Sequence, residues 1–476
     1  MKRALVYGLG VAGEATARAL LRRGVEVIAA DDDATPERRA VAEDLNLELI
    51  ERPGQRDLEL LIRSSDVVSP APGVPETHEV ILKSQERGVE LMSEIELAYR
   101  WEQQRPGRPR PMLAVTGTDG KTTTTLLTVE ILRAAGLRSV DAGNTSTPLV
   151  DAIEQDLDVF VVECTSFRLA WTPTFRAEAA VWLNLAPDHL NWHRSMATYE
   201  AAKARVFINQ RPADCAIGFV DDDAVMGQVD LAPGRHVSFG LSGADYYLKD
   251  DEYLKADGVE RGGILTGPLG AIASTMSMRR SLPHDITNAL ASSALVMESG
   301  LAGPDAITEA LTTFTGPPHR LEHVGTWGEI AWFNDSKATT PHAAAAAIHS
   351  FDHIVLIAGG YDKGVDLASM ATEPDRVDRV IALGATAPAV VEAFGSVAEI
   401  DLVVDIPAAI ERARDVAQPG STVLLSPGCA SFDQYKSFDL RGDHFRSLVL
   451  SAHGDPQPDH SLQQDIPASP IPGGSS

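Results

Sequence analysis

Gly117-Thr118-Asp119-Gly120-Lys121-Thr122-Thr123 follows the apolar run MLAVT without a break and opens a stretch of helical character. A glycine turn between a strand and a helix gathers backbone N–H groups around phosphate oxygens, and the first helical turn adds a favourable field. In such a loop Lys121 reaches the outer phosphates and Thr122 offers its hydroxyl to Mg²⁺. The turn is shorter than GxxxxGK[ST], with two residues between its glycines. The order of strand, glycine, Lys-Thr and helix is still complete, and it predicts a nucleoside triphosphate site.

Other residues gain meaning from their distance to this loop. Glu163 closes the apolar run DVFVVE, and a carboxylate at a strand end beside a phosphate loop is where a nucleotide's metal is held. Asp188 and His189 follow AAVWLNLAP, in a segment that also contains His193. A histidine there binds a divalent metal or pairs with a carboxylate. Lys203 lies in YEAAKARVF, on a predicted helix, and spacing alone assigns it to the surface.

A second glycine turn competes. Gly8-x-Gly10-x-x-Gly13 follows ALVY, and Asp31 ends the next strand. That is the dinucleotide fingerprint, which predicts NAD and hydride transfer, although the same turn suits any pyrophosphate, a nucleotide sugar's included. SPAPGVP, Ser69–Pro75, turns at the end of a neighbouring strand. Later in the chain PHR (Pro318–Arg320) and NDSKATTP (Asn334–Pro341) place Arg, Asp and Lys after a linker, where domain closure brings charge onto a nucleotide. GGYDKG (Gly359–Gly364) and SPGCASFDQYKSFDLRG (Ser426–Gly442) offer Lys and hydroxyl donors suited to a small carboxylated ligand.

Three blocks of alternating strands and helices must position these residues. The expected fold class is α/β in three domains: a Rossmann-like N-terminal domain over residues 1–105, a P-loop-type ATPase domain over 111–315, and a Rossmann-like C-terminal domain over 319–454. QQRPGRPRP and TFTGPP are the linkers, and residues 455–476, rich in Pro, Ser and Gly, form a disordered tail. Asp245–Gly263 is polar and reads as a hairpin or insertion.

Composition removes several function classes. A length of 476 residues with 44% hydrophobic and 23% charged residues is too apolar for overall disorder. Lys+Arg 41 against Asp+Glu 67 gives a net charge of -26, which argues against a nucleic-acid binder or an anionic-membrane binder. Cys164, Cys215 and Cys429 are far apart without CxxC spacing, so neither a disulfide framework nor a structural zinc site is expected. No apolar run is long enough for a membrane span, and glycines and Glu14 interrupt the N-terminal apolar stretch, so the cytoplasm is the expected location.

Taken together, these motifs resemble the Mur ligases, ATP-dependent enzymes that build the peptide of bacterial cell-wall precursors. The resemblance runs from about Ala4 to Arg446 in the family's order. GTDGKTT is similar to its ATP loop; ECTSFRL, NLAPDHLNWH and YEAAKARVF to its metal segments; HDITNAL, PHRLE and NDSKATTP to its adenine, hinge and C-terminal nucleotide segments. LLSPGCASFDQYKSFDLRGDHF resembles the amino-acid pocket of its D-glutamate-adding branch.

The resemblance implies an ATP-dependent amide ligase, working through an acyl phosphate on UDP-N-acetylmuramoyl-L-alanine and D-glutamate as a monomer with two Mg²⁺. It assigns the nucleotide to Gly117, Thr118, Asp119, Gly120, Lys121, Thr122, Thr123, Asn288, Arg320 and Asp335. Metal falls to Thr122, Glu163, His189 and a carbamoylated Lys203, and catalysis to Lys121, His189, Lys203 and Asn144. The UDP substrate is assigned to Gly10, Val11, Asp31, Gly73, Asn144 and Thr165, and the amino acid to Thr339, Lys363, Ser431, Phe432 and Phe438. The chain departs from the family pattern at Asp119 and Asp285, where Asn is usual, and at Thr165 and Arg168, where Ser and Gln are common. Three rivals remain: an NAD-dependent dehydrogenase, which leaves the Gly-Lys-Thr loop unused; a P-loop motor or switch; and a superfamily ligase adding a different amino acid.

Overall fold

The computed structural model describes residues 1–255, 258–361, 364, 366–395 and 398–454, without the side chains of 251–261. Lys363 and the tail 455–476, both singled out above, lie outside the described residues. Two compact units emerge, Met1–Phe314 and the residues from Thr315 onward.

The first unit holds two parallel sheets. In the N-terminal one the order is Leu49–Glu51, Glu26–Asp31, Arg3–Tyr7, Val67–Pro70, Glu90–Leu91. Strand order reverses beside Arg3–Tyr7, so a crevice opens where the Gly8–Gly13 turn and the Ser69–Pro75 turn emerge. The central sheet runs Arg235–Phe239, Cys215–Phe219, Ala179–Trp182, Met112–Thr116, Val159–Glu163, Ser139–Gly143. Met112–Thr116 is buried along its whole length, as befits a parallel strand covered on both faces. Its neighbours are Val159–Glu163 and Ala179–Trp182. Three chain segments carrying candidate residues therefore leave the sheet side by side, at its carboxyl edge.

Helix Glu94–Gln103 joins the two sheets. Ile95, Leu97 and Ala98 share one core with Leu149, Val150 and Phe175 of the central part. The presumed linker that follows is pinned. Arg110 is 7% exposed, sits over the Phe160 ring, and donates to the Glu102 carboxylate and to the Ile153 carbonyl. The polar stretch expected as a hairpin forms a three-stranded antiparallel sheet, Tyr247–Lys255, Gly258–Gly267 and Gly270–Ser274.

The second unit is one six-stranded sheet ordered Glu322–Trp327, Ile330–Asn334, Thr422–Leu425, Ile354–Gly359, Val377–Leu383, Glu399–Leu402. Only four of these strands are legible from apolar runs. The antiparallel pair Glu322–Trp327 and Ile330–Asn334 is missed because its mixed polarity hides it.

Candidate active site

Gly117–Gly120 links the strand Met112–Thr116 to the helix Lys121–Ala134. Gly120 has φ +81, and a Cβ there would lie 2.8 Å from Asn288 Oδ1. Only glycine lets the loop pass this close to the helix Pro283–Glu298. Thr124 N–H is the first to bond back into the helix, to Gly120 O. The N–H groups of Lys121, Thr122 and Thr123 precede it and have no intrahelical acceptor, which suits them to an anion.

The loop is shaped from outside by a residue that motif reading passed over. Asn184 Oδ1 accepts from the backbone N–H of Thr118 (2.9 Å) and of Asp119 (2.8 Å), and its Nδ2 donates to Asp119 O (3.3 Å). Asn184 lies two residues beyond Trp182, at the end of the adjacent strand. Its sequence signal was only that position.

Lys121 Nζ donates to Gly117 O (3.0 Å) and Thr118 O (2.6 Å). Lys203 Nζ donates to the same Gly117 O at 2.5 Å. Lys203 is 1% exposed, so its assignment to the surface is corrected. The helix Met196–Ile208, started by a Ser195–Thr198 capping box, turns it inward over the Tyr199 ring. Burial, reinforced by the charge of Lys121, holds the Lys203 amine well below the ordinary lysine value.

Glu163, 2% exposed, accepts from Asn144 Nδ2 through Oε1 (2.9 Å). Its other oxygen, Oε2, is buried without a hydrogen-bond partner. A bare buried carboxylate oxygen is costly unless a cation meets it. Glu163 therefore fits a divalent metal, with the Thr122 hydroxyl on the neighbouring helix start. Lys203 as an ammonium has donors only and does not fit one. Among the described residues no group of three His, Cys, Asp or Glu side chains is arranged for a metal. His189 adopts φ 55, a left-handed conformation that costs a non-glycine residue about 1–3 kcal/mol. Its ring packs edge-on against Phe167, and burial lowers its pKa. His193 is buried, with Nε2 2.9 Å from Ser166 Oγ and Nδ1 3.4 Å from Glu76, in the segment after the strand Val67–Pro70 of the N-terminal sheet.

The Asp departures are offset in one case. Asp285 accepts from Arg280 Nε and Nη2, both at 2.6 Å. Burial pushes its pKa up, but Arg280 and His284 overcome this and leave it low. Asn288 accepts from Thr124 Oγ1 at 3.2 Å.

At the N-terminal sheet, Gly10, Val11 and Gly73 sit on the two turns at the crevice, and Val11 is 78% exposed. A Cβ on Gly13 would lie 1.9 Å from Gly8 O, so this glycine is required for helix against strand. Asp31 also has partners within the protein. Its Oδ2 accepts from Leu9 N–H (2.7 Å), and its Oδ1 from Asp33 N–H (2.9 Å) and Arg38 (2.8 Å). Both oxygens help hold the turn, so the side chain shapes the crevice and keeps acceptor capacity beyond these three bonds. Thr165 caps the short helix Ser166–Leu169, with a buried, unpartnered Oγ1.

In the second unit Arg320 stands between His319 (φ 60) and Leu321 (φ 44). Asp335 accepts from Ser426 Oγ (2.8 Å) and Leu321 N–H (3.2 Å). Arg441, 2% exposed, donates to Ser336 Oγ and O and to the carbonyls of Cys429 and Ala430. It ties the segment leading to Thr339 to the one carrying Ser431 and Phe432. Ser431 Oγ is buried and unpartnered, Phe432 is 63% exposed, and the Phe438 carbonyl accepts from Ser336 Oγ.

Two parallel sheets, each with a glycine turn at its switch point, and a mixed sheet, parallel but for one edge strand, make this a multidomain α/β protein with a phosphate-binding loop. Residues 2–93 match the Mur ligase MurD-like N-terminal domain, 115–296 the Mur ligase middle domain, and 319–429 the Mur ligase glutamate ligase domain. The chain belongs to the Mur ligase family. It is 38% identical to the UDP-N-acetylmuramoylalanine–D-glutamate ligase of Frankia casuarinae, covering 94% of both chains. It is 34% identical to the enzyme of that name from Streptomyces coelicolor, covering 94% of this chain and 98% of that one. In fold it is like the UDP-N-acetylmuramate–alanine ligase of Thermotoga maritima, with TM-score 0.57 at 18% identity over 95% of this chain and 100% of the other. No described helix is long and apolar enough to cross a membrane.

Proposed function

We infer that this chain is a ligase that joins D-glutamate to UDP-N-acetylmuramoyl-L-alanine with ATP, in peptidoglycan precursor synthesis. The observations that carry the chemistry are the convergence of Lys121 and Lys203 on Gly117 O and the bare Glu163 Oε2 at the end of the neighbouring strand. The choice of amino acid rests on the relatives' shared name and on the Ser431–Phe438 segment.

The substrate carboxylate attacks the γ-phosphate of ATP, giving an acyl phosphate and ADP. The neutral amine of glutamate then attacks the acyl carbon, the C–N bond forms, and phosphate leaves. A free carboxylate resists an amine because its leaving group would be oxide; phosphorylation supplies a better one. Lys121, with the N–H groups of the loop, neutralises phosphate oxygens as charge shifts. Asn144 contacts the substrate near the transferring group, and Arg320 and Asp335 contact the nucleotide. Thr339, Ser431, Phe432 and Phe438 hold the amino acid, and Gly10, Val11, Gly73 and Thr165 the UDP substrate.

Magnesium, when bound, supplies positive charge that stabilises phosphoryl transfer. Thr122 and Glu163 would hold one ion, and His189 with Lys203 the other. Lys203 reaches that role as a carbamate. Burial lowers the amine's pKa and so favours the neutral form, which adds CO₂ and releases a proton to give an anion in place of an ammonium. The test is to incubate the protein with Mg·ATP, UDP-N-acetylmuramoyl-L-alanine and each glutamate enantiomer, and to weigh the product. Mass gain with D-glutamate alone supports this reading; gain with L-glutamate, or with neither, overturns it.

A further inference from the structure

Arg168 is a buried cation whose contacts bear on Asn144 and, through it, on Glu163. The side chain is 7% exposed, on the short helix Ser166–Leu169. Its Nη1 donates to Asn144 Oδ1 at 2.6 Å. Its Nε faces Glu94 Oε2 at 3.6 Å, too long for a hydrogen bond but close enough for an ion pair. Glu94 comes from the helix that joins the two sheets, is 4% exposed, and uses its other oxygen to accept from Val150 N–H (3.0 Å).

Arginine has donors only, whereas glutamine has donors and an acceptor. A donor held against Asn144 Oδ1 decides which way the amide points. Nδ2 must then face Glu163, and it donates to Glu163 Oε1 at 2.9 Å. With Oε1 occupied, Glu163 Oε2 is the oxygen left bare. Were the amide turned, Asn144 Oδ1 would meet a carboxylate oxygen, acceptor against acceptor. The charges are arranged to the same end. Arg168 makes its ion pair with Glu94, and among the described residues no ion pair joins it to Glu163.

We propose that Arg168, held by Glu94, is a positioning residue that locks the Asn144 amide and so keeps Glu163 Oε2 presented to a divalent cation. This rests on the reading of Glu163 as a metal-holding residue. It makes a Glu94–Arg168–Asn144–Glu163 chain from the connecting helix to the strand that neighbours the one feeding the phosphate loop.

The experiment titrates Mn²⁺ into the full chain with ADP present, following free Mn²⁺ by electron paramagnetic resonance, and records melting temperatures alongside. Loss of a residue that orients a metal ligand costs about tenfold or more in affinity, so Arg168→Gln should raise the Mn²⁺ dissociation constant by about that factor. The double variant Glu94→Gln/Arg168→Gln removes both buried charges together. It should melt close to wild type and still show the weakened Mn²⁺ binding. A role in packing alone predicts the opposite, a lowered melting temperature for the single variant and wild-type Mn²⁺ affinity for the double; that outcome overturns the proposal. Glu163→Gln separates the two readings. If it weakens Mn²⁺ binding while the Arg168 variants do not, only the positioning role fails. If it too binds Mn²⁺ normally, the metal reading of Glu163 falls, and the positioning role with it.

Discussion

Lys121 and Lys203 donate to one acceptor, the backbone carbonyl of Gly117, at 3.0 and 2.5 Å. Two ammonium groups on one oxygen repel, and Lys203 has the buried position of the two. An amine there costs stability and is retained for chemistry, a trade-off common at active sites. Lys203→Met should therefore raise stability by about 1 kcal/mol while removing ligase activity. The sign of the pH dependence follows from the depressed pKa. Between the folded value and the higher unfolded one, the unfolded chain binds more protons, so wild-type stability rises with pH. The advantage of Lys203→Met should be largest at low pH and vanish above the unfolded lysine value. Urea unfolding across pH checks this; a destabilised variant, or an active one, contradicts it.

The same residue gives a chemical test of the carbamate. Lys203→Ala should lose activity that short carboxylic acids partly restore, because they return a carboxylate to the pocket the side chain leaves. Absence of rescue, with the variant folded, would remove the carbamate from the mechanism.

Asn184 holds the N–H groups of Thr118 and Asp119. Asn184→Ala should let the loop drift and raise the KM for ATP by about tenfold or more, since small misplacements are costly in phosphoryl transfer. Steady-state kinetics with varied ATP measures it. An unchanged KM would show that the loop keeps its shape without this side chain.

Arg280 is the counter-charge that lets Asp285 stand in a buried position. Removing one partner of a buried pair strands the other, so Arg280→Met should cost about 3 kcal/mol at neutral pH. In wild type the pair's contribution is present above the unfolded aspartate pKa and is lost as pH falls through the lower folded value. In the variant the stranded carboxyl can protonate as the solution is acidified. The gap between the two proteins should narrow toward acid pH, and a gap independent of pH would contradict the pairing.

What the sequence makes legible is what lies contiguous in it. Gly117–Thr123 and Gly8–Gly13 can be read because strand, turn and helix follow one another within a few residues. Glu163 can be picked out because it ends an apolar run, and His189 because it follows one within a few residues. Contacts between distant segments leave no such trace. Nothing in NLAP marks Asn184 as the brace of a loop that precedes it in the chain by more than one strand, and nothing in MSEIE ties Glu94 to Arg168. Lys203 misleads for a related reason: its helix is covered on more than one face, so amphipathic spacing fails. The strands Ser139–Gly143 and Cys215–Phe219 are missed because they are short and carry Asp141, Gly143 or Gly218 within them. Arg110 sits in a segment of linker composition yet is buried against Glu102, a pairing that only the folded junction reveals.

The acyl phosphate is the step on which the reaction class depends. UDP-N-acetylmuramoyl-L-alanine labelled with heavy oxygen in its terminal carboxylate is turned over with ATP and D-glutamate, and the released phosphate is examined by mass spectrometry. Transfer of one labelled oxygen into phosphate is the expected result. Product formed with unlabelled phosphate would mean that carboxylate and γ-phosphate never share that oxygen, and the proposed mechanism would be wrong.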